Sequence, residues 1–305
     1  MRQQTIRKVV TVEGIGLHSG KPARLILSPA PADSGIVFRV GPHGDPIPAA
    51  PESVVDSYYA TTLGGRNGVR IQTVEHLMAA AAGLRIDNLD VEIDGAEIPA
   101  TDGSAKPFVA LLAGAGRTPQ TARRRPIEIP QPLHVGSGSR WIQIVPCDTF
   151  KISYTLVNDH PAIGTQVLTC VPTEEMFVSD YAPARTYGFL KDLGVLRKNG
   201  LALGGSLDNA IVVGKRGTIN SLRYRDEFVR HKILDLIGDL ALLGRPLHGH
   251  VIARNAGHAL NFELVVAVQR ALGLERRTAA AALRVVPKPE MVERPEYVPA
   301  GLAAR

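Results

Sequence analysis

The sequence predicts a protein of two domains, each of which mixes strands with helices. Its 305 residues correspond to about two typical domains. Both halves open with segments rich in β-forming residues, at 5–13, 23–28, 36–40, 140–145 and 151–157. Between the halves, residues 115–127 are rich in Arg, Thr, Pro and Gln, a composition typical of interdomain linkers. The predicted parts are an N-terminal domain, a linker, a C-terminal domain and a flexible tail, at residues 1–118, 119–126, 127–285 and 286–305.

The composition indicates a globular protein of a reducing compartment. The chain is 45% hydrophobic and 21% charged, which is ample for a core without disulfides. Its two cysteines, Cys147 and Cys170, suit that compartment. The first residues lack the apolar stretch of a signal peptide, and no run approaches the length of a membrane span. We therefore expect a cytoplasmic protein with no transmembrane segment.

The net charge of +6 fits an acidic small substrate, a nucleic acid or an anionic membrane surface. The basic runs are Arg123–Arg125 and Arg276–Arg277, and neither is interleaved with aromatic residues. Nucleic-acid grooves combine basic with aromatic side chains. We interpret the first run as linker and the second as a solvated helix end, and expect no nucleic-acid partner.

The first half contains a short helix with two candidate site residues. Thr73 can cap it and Gly83 can end it, which places Glu75 and His76 in its first turn. A glutamate there is also favoured by the helix dipole alone, so a purely structural role stays open. Upstream, a glycine-rich turn holds His18, which is either exposed or near a site. The remaining elements of this half are a strand at 89–93 and a helix that ends near residue 112.

The second half is predicted to open with a hairpin, in which strands 140–145 and 151–157 join at a turn. A short amphipathic helix and loop at 190–203 and strands at 207–213 and 248–254 follow, before a final helix. His248 and His250 lie on one face of the last strand, where they bind a metal or lie on a plain surface. His258 stands just after Gly257, at the start of the final helix.

The longest helix is predicted over residues 223–243, because apolar residues recur there at three- and four-residue steps. Asp226 is its candidate N-cap, and Gly244 marks its end. Four polar residues within it are spaced four apart and form one stripe: Glu227, His231, Asp235 and Asp239. An imidazole and a carboxylate one turn apart can both ligate zinc. The alternative is a solvated face with ion pairs to Lys232 or Arg230.

Several motifs in one order carry a resemblance to a known family. They are Gly-Leu-His-Ser-Gly, Thr-Val-Glu-His-Leu, Asp-Gly-Ser-Ala-Lys-Pro-Phe, Ala-Arg-Thr-Tyr-Gly-Phe, Leu-Gly-Gly-Ser, Asp-Glu-Phe-Val-Arg-His-Lys-Ile-Leu-Asp and Gly-His-Ala-Leu-Asn. From about residue 2 to about residue 270 the chain resembles the UDP-3-O-acyl-N-acetylglucosamine deacetylases of Gram-negative lipid A biosynthesis. The resemblance implies an α+β fold of two similar domains. Each is a mostly antiparallel sheet with helices on one face, and the helical layers pack together around the site.

The resemblance also implies roles for single residues. The metal ligands are His76, His231 and Asp235, and the cofactor is Zn²⁺, with Fe²⁺ possible in vivo because two histidines and a carboxylate suit both. Catalytic roles fall to Glu75 as base, His258 as acid, Asp239 as the group that orients His258, and Thr186 as an oxyanion donor. Substrate contacts fall to Lys232 and Tyr187, and to Leu196 and Gly204 near an acyl-chain passage walled by residues 190–203.

The implied reaction is hydrolysis of the N-acetyl group of UDP-3-O-acyl-GlcNAc by a metal-activated water, which gives acetate and the free amine. We expect a monomer whose partner is this small molecule. Tyr187 stands where the family pattern has Phe, and Ala100–Thr101 where it has bulkier apolar residues. The rival enzyme class is a zinc peptidase or another amidohydrolase, and the absence of His-Glu-x-x-His from the sequence disfavours the common peptidase type. The other rival is a non-catalytic nucleotide-sugar or lipid-binding protein.

Overall fold

The computed structural model of the protein describes residues 1–274, apart from the side chain of Asn67. Strands of the first half are β1 (Arg2–Ile6), β2 (Val10–Ile15), β3 (Pro22–Pro29), β4 (Ile36–Val40), β5 (Ile47–Pro48), β6 (Val54–Asp56), β7 (Thr62–Gly64), β8 (Arg70–Ile71), β9 (Leu89–Asp94) and β10 (Arg117–Arg123). Strands of the second half are β11 (Ile127–Glu128), β12 (Leu133–Ser137), β13 (Arg140–Val145), β14 (Phe150–Val157), β15 (Thr165–Cys170), β16 (Tyr187–Phe189), β17 (Ile211–Val213) and β18 (Leu247–Arg254). The α-helices are α1 (Glu75–Gly83), α2 (Lys106–Ala115), α3 (Glu174–Met176), α4 (Leu193–Lys198), α5 (Glu227–Leu240) and α6 (His258–Ala271).

The main sheets of the two halves have the same topology. Their strand orders are β2-β3-β9-β4-β5 and β12-β13-β18-β14-β15, and β11 joins the second sheet beside β18. In both, the central strand arrives last in sequence and is antiparallel to one neighbour and parallel to the other. Each central strand lies between two helices in sequence, α1 and α2 or α5 and α6. The predicted α+β fold of two similar, mostly antiparallel halves is therefore confirmed.

The two halves meet through α1 and α5, which pack against each other in the apolar core. A glycine permits this close approach, because a Cβ atom at Gly238 would collide with the backbone carbonyl oxygen of Glu75. The contact brings the first turn of α1 onto the polar stripe of α5. None of the helices within residues 1–274 is long and apolar enough to cross a membrane.

The predicted hairpin of the second half is wrong. Strands β13 and β14 do not pair, because β18 lies between them and bonds to both. Every second residue of β18 is buried, so the strand gains most burial at the centre of the sheet.

Two other predicted strands also differ from the structure. The segment 5–13 forms two strands and not one, since β1 pairs with β10 and β2 with β3. Of the segment 207–213, only Ile211–Val213 is strand, because its first residues form a turn at Ser206.

The predicted linker is largely a strand. Residues Arg117–Arg123 form β10, whose backbone pairs antiparallel with β1, so the polar composition reflects an exposed edge rather than a free connection. Only residues 124–126 join β10 to β11. The domain boundaries stay predictions. The tail at 286–305, the C-terminal limit at 285 and the run Arg276–Arg277 lie outside the described residues.

Candidate active site

The polar stripe of α5 is buried, so its interpretation as a solvated face is wrong. All four residues have at most 2% of their surface exposed: Glu227, His231, Asp235 and Asp239. Asp226 is the N-cap, but its side chain makes no capping bond and instead accepts a hydrogen bond from Arg230. Buried ionisable groups are stable only when they are paired, hydrogen-bonded or bound to metal, and each member of the stripe has a different partner.

Glu227, the first residue of the stripe, anchors the chain that leads to Thr186. Its carboxylate accepts hydrogen bonds from the side chain and backbone N–H of Arg185 and from the backbone N–H of Arg223. The neighbouring carbonyl of Ala184 then accepts a hydrogen bond from Nδ1 of His231 at 3.1 Å. The buried pair of Arg185 and Glu227 thus fixes the orientation of the next residue of the stripe, His231.

The start of α1 differs from the prediction that Thr73 is its N-cap. Val74 is the N-cap, and Thr73 has a φ of 64°, which is unusual for a β-branched residue. The Thr73 hydroxyl donates to the buried carboxylate of Glu97, which also accepts the backbone N–H groups of His18 and Ser19. Glu97 therefore ties the His18 turn to the first turn of α1. Gly83 is the last residue of the helix and not a left-handed C′ residue.

Side chains from α1 and α5 converge on one point. Nε2 of His76 lies 3.5 Å from Oδ1 of Asp235, and Nε2 of His231 lies 3.3 Å from the same oxygen. One ligand atom from each of the three residues lies within 4.8 Å of the others. Two imidazoles and a carboxylate are the ligand types of a zinc site that keeps an open position.

The protonation states in this cluster are those expected of side chains that bind a cation. His231 donates Nδ1–H to Ala184, and burial, opposed by Asp235, lowers its pKa to about 3, so its Nε2 carries a lone pair and no proton. That lone pair faces Oδ1 of Asp235, a buried oxygen that accepts no hydrogen bond from the described residues. Two electron-rich atoms at this distance repel each other unless a positive ion lies between them. These residues therefore fit a bound metal ion.

Lys232 neutralises the other oxygen of Asp235, with Nζ 2.9 Å from Oδ2. Burial would raise the pKa of Asp235, but the positive charges of Lys232 and His258 outweigh burial and hold the pKa well below its usual range. Burial would lower the pKa of Lys232, and Asp235 reverses that effect and raises it. The carboxylate is therefore ionised and the lysine charged, with the lysine head 5.7 Å from the ring centre of Tyr187.

His258 begins α6 and points at the same cluster. Its Nδ1 donates to Oδ2 of Asp239 at 2.8 Å, and its Nε2 lies 4.0 Å from Oε1 of Glu75. Burial alone would lower the pKa of His258. Three carboxylates outweigh burial and raise this pKa to about 10, namely Asp239, Asp235 and Glu75. His258 is therefore a charged donor at neutral pH.

Glu75 lies beside His258 and is buried, with 3% of its surface exposed. Its Oε2 accepts the backbone N–H of Thr61 at 3.0 Å, and Oε1 is the oxygen nearer His258. Burial is the largest cause that raises the pKa of Glu75, and the charge of His258 is the main effect that opposes it. A carboxylate with a raised pKa next to a candidate metal ligand has the properties of a general base.

Known proteins carry the same sequence pattern. The model of the UDP-3-O-acyl N-acetylglycosamine deacetylase family matches residues 3–270. The chain belongs to this family. Among similar proteins, the UDP-3-O-acyl-N-acetylglucosamine deacetylase of Oleidesulfovibrio alaskensis is 50% identical over 267 residues, which cover 86% of this chain and 87% of the relative. Those of Syntrophotalea carbinolica and Acidithiobacillus ferrooxidans are 46% and 47% identical, and cover 86% and 88% of this chain and 86% and 90% of the relatives.

The structure of this deacetylase-family chain brings the predicted site residues together to different degrees. Thr186 and His76 line one small cavity between the halves. The ring of Tyr187 packs edge-on against Phe228 at 4.9 Å and lies 6.3 Å from the His231 ring. Gly204 donates its N–H to the carbonyl of Leu17, next to His18, and Leu196 is half-buried on α4, a helix that has no buried residue.

Two other histidines lie in different places, His18 near the site and His250 on the surface of a sheet. His18 is buried, and burial is the main cause that lowers its pKa, with a further contribution from the nearby charge of His258. Its neighbour Leu17 lines the same small cavity as His76 and Thr186, so the turn lies near the site, which is one of the two possibilities that the sequence leaves open. His250 instead meets the hydroxyl of Ser153 at 2.9 Å on the sheet surface. Within residues 1–274, the group that could hold a metal is the cluster on α1 and α5 and not this strand.

Sequence reasoning missed the residues that hold the site residues in place. Asn261 donates to Asp239 at 2.8 Å, and Thr61 contacts both Asp239 and Glu75. Asn261 stands three residues after His258, a helical spacing that places both on one face of α6. Thr61 has no such pattern, because its partners belong to helices that come later in the chain.

Proposed function

We propose that this protein is a zinc-dependent hydrolase that removes the N-acetyl group of UDP-3-O-acyl-GlcNAc in lipid A biosynthesis. The observation that carries the proposal is the buried cluster of His76, His231 and Asp235, beside a base and a charged histidine. One Asp235 oxygen in it accepts no hydrogen bond from residues 1–274. Membership of the deacetylase family supports the substrate class. A zinc ion held by His76, His231 and Asp235 would lower the pKa of a water and polarise an amide carbonyl.

The chain supplies the proton transfers. Oε1 of Glu75, whose pKa is raised above its ordinary value by burial, accepts the proton of the attacking water. The water oxygen bonds to the amide carbon, and the Thr186 hydroxyl and His258 stabilise the negative charge on the former carbonyl oxygen. The C–N bond then breaks. Nε2 of His258 donates its proton to the departing nitrogen, which leaves acetate and a free amine.

The remaining residues bind and orient. Asp239 keeps His258 charged and in one tautomer through the Nδ1 hydrogen bond. Lys232 retains a positive charge next to the site and suits the anionic diphosphate or the acyl-sugar oxygens of the substrate. Tyr187, Leu196 and Gly204 are proposed to contact the sugar and the acyl chain, since segment 190–203 exposes apolar side chains such as Leu190 and Val195.

The proposal is tested with purified protein and UDP-3-O-acyl-GlcNAc, by following acetate release. We expect activity that a chelator abolishes and that added Zn²⁺ or Fe²⁺ restores, with metal analysis to identify the resident ion. A peptidase would instead cleave a peptide panel, and a binding protein would bind the nucleotide sugar without acetate release. Either of those outcomes would contradict the proposal.

A further inference from the structure

Thr61 uses every polar group it has at the junction between the two halves. It is buried, with 2% of its surface exposed. Its carbonyl accepts the N–H of Val74, the N-cap of α1, at 3.2 Å. Its own N–H donates to Oε2 of Glu75 at 3.0 Å, and its hydroxyl donates to Oδ1 of Asp239 on α5. One residue thus contacts a carboxylate from each half.

These bonds divide each carboxylate into two unlike oxygens. In Glu75, Thr61 occupies Oε2, and Oε1 is left on the side of His258. In Asp239, Thr61 occupies Oδ1, and Oδ2 is left to accept from Nδ1 of His258 and from Asn261. A carboxylate held through one oxygen cannot rotate to exchange its two oxygens without losing that bond. Thr61 therefore sets the direction of both partners of His258.

We propose that Thr61 is a positioning residue, whose hydroxyl aligns Asp239 and, through it, His258 with Glu75 across the junction of the two halves. This inference rests on the proposed deacetylase function. Within residues 1–274, none of the hydrogen bonds of Thr61 involves His76, His231 or Asp235. Its loss should therefore disturb the alignment of the acid and the base, and leave metal binding intact.

The test compares Thr61→Val with Thr61→Ser. Valine keeps the shape and the backbone N–H but removes the hydroxyl, and serine keeps the hydroxyl but removes the methyl group. We expect Thr61→Val to lower kcat by roughly tenfold or more, with KM changed less than about twofold because the residue does not bind substrate. Thr61→Ser should retain most of the wild-type kcat, and both variants should bind as much zinc as the wild-type protein does.

The matched control is Thr5→Val, which removes another buried hydroxyl, one that accepts the N–H of Ala30 far from the site. It should leave kcat unchanged. If Thr61→Val does not fold, the smaller Thr61→Ala replaces it. Wild-type kcat in the valine or alanine variant, equal losses in valine and serine variants, or loss of zinc would overturn the inference. If wild-type protein itself releases no acetate, the proposed function fails, which is a distinct result.

Discussion

Nδ1 of His258, the first residue of α6, lies 2.8 Å from Oδ2 of Asp239 near the end of α5. A buried imidazole without this partner would lose its proton, because desolvation disfavours the charged form. The contact with Asp239 therefore keeps His258 protonated, so that it can act as an acid, whereas burial alone would leave it neutral. It depends on the packing of α6 against α5, so the proton chemistry and the fold are linked.

Asp239→Asn should lower the pKa of His258 from about 10, because it removes the first of the charges that raise it and leaves burial less opposed. The NMR titration of His258 in metal-free protein measures this directly. The wild-type ring should stay charged from pH 6 to pH 9, whereas the variant should titrate below that range or within it. An unchanged titration would show that Asp239 does not control His258.

His231→Ala should lose most of the bound zinc, since His231 lies on the point where Nε2 of His76 and Oδ1 of Asp235 also converge. The matched control is His250→Ala, which removes a histidine of β18 that hydrogen-bonds Ser153 of β14 and should keep full zinc. Metal analysis of both purified variants gives the answer. Stoichiometric zinc in His231→Ala would contradict the ligand set.

Glu75→Gln should keep zinc and lose roughly 10²–10⁴-fold in kcat, which is the usual contribution of a general base. Glutamine preserves the shape and can still accept the N–H of Thr61, so positioning is disturbed little. Glu92→Gln, on β9 and outside the site, serves as the control and should be as active as wild type. Activity near wild type in Glu75→Gln would remove Glu75 from the mechanism.

Elements with a strong local pattern were predictable from the sequence. Helix α5 follows from its apolar steps of three and four residues, and α6 from the position of His258 after Gly257. Strand partners were not predictable in this way, because β18 enters between β13 and β14 from the far end of the half. A pairing partner is chosen by burial in the whole sheet and not by the nearest turn.

The candidate site was likewise predictable only where the sequence has a local pattern or a motif. The spacing of His231, Asp235 and Asp239 marks one helical stripe, and motif resemblance gave Glu75 and His76 of the other half their roles. The burial of the stripe could not be predicted, because it depends on α1 packing over it. The left-handed φ of Thr73 also escapes sequence rules, since tertiary bonds to Glu97 override the residue's own preference.

Arg185→Ala should destabilise the protein by about 3 kcal/mol, because it leaves the carboxylate of Glu227, which is 0% exposed, without its charged partner. Two backbone N–H groups still reach that carboxylate, which keeps the loss at the lower end of the range. Denaturant unfolding measures it. The control Arg24→Ala, from an exposed pair with Glu13, should cost less than about 1 kcal/mol, and equal losses would contradict the argument.

Gly238→Ala should separate the two helices that carry the site. The added Cβ would meet the carbonyl oxygen of Glu75, a backbone atom that cannot rotate away, so α1 must shift relative to α5. We expect a loss of roughly 1–3 kcal/mol in unfolding free energy, together with weaker zinc binding, since His76 moves with α1. Gly114→Ala, on α2 where a Cβ meets no atom within 4 Å, should be neutral or slightly stabilising. If Gly238→Ala unfolds with the same free energy as the wild-type protein and binds zinc as tightly, the close approach of α1 and α5 is not required.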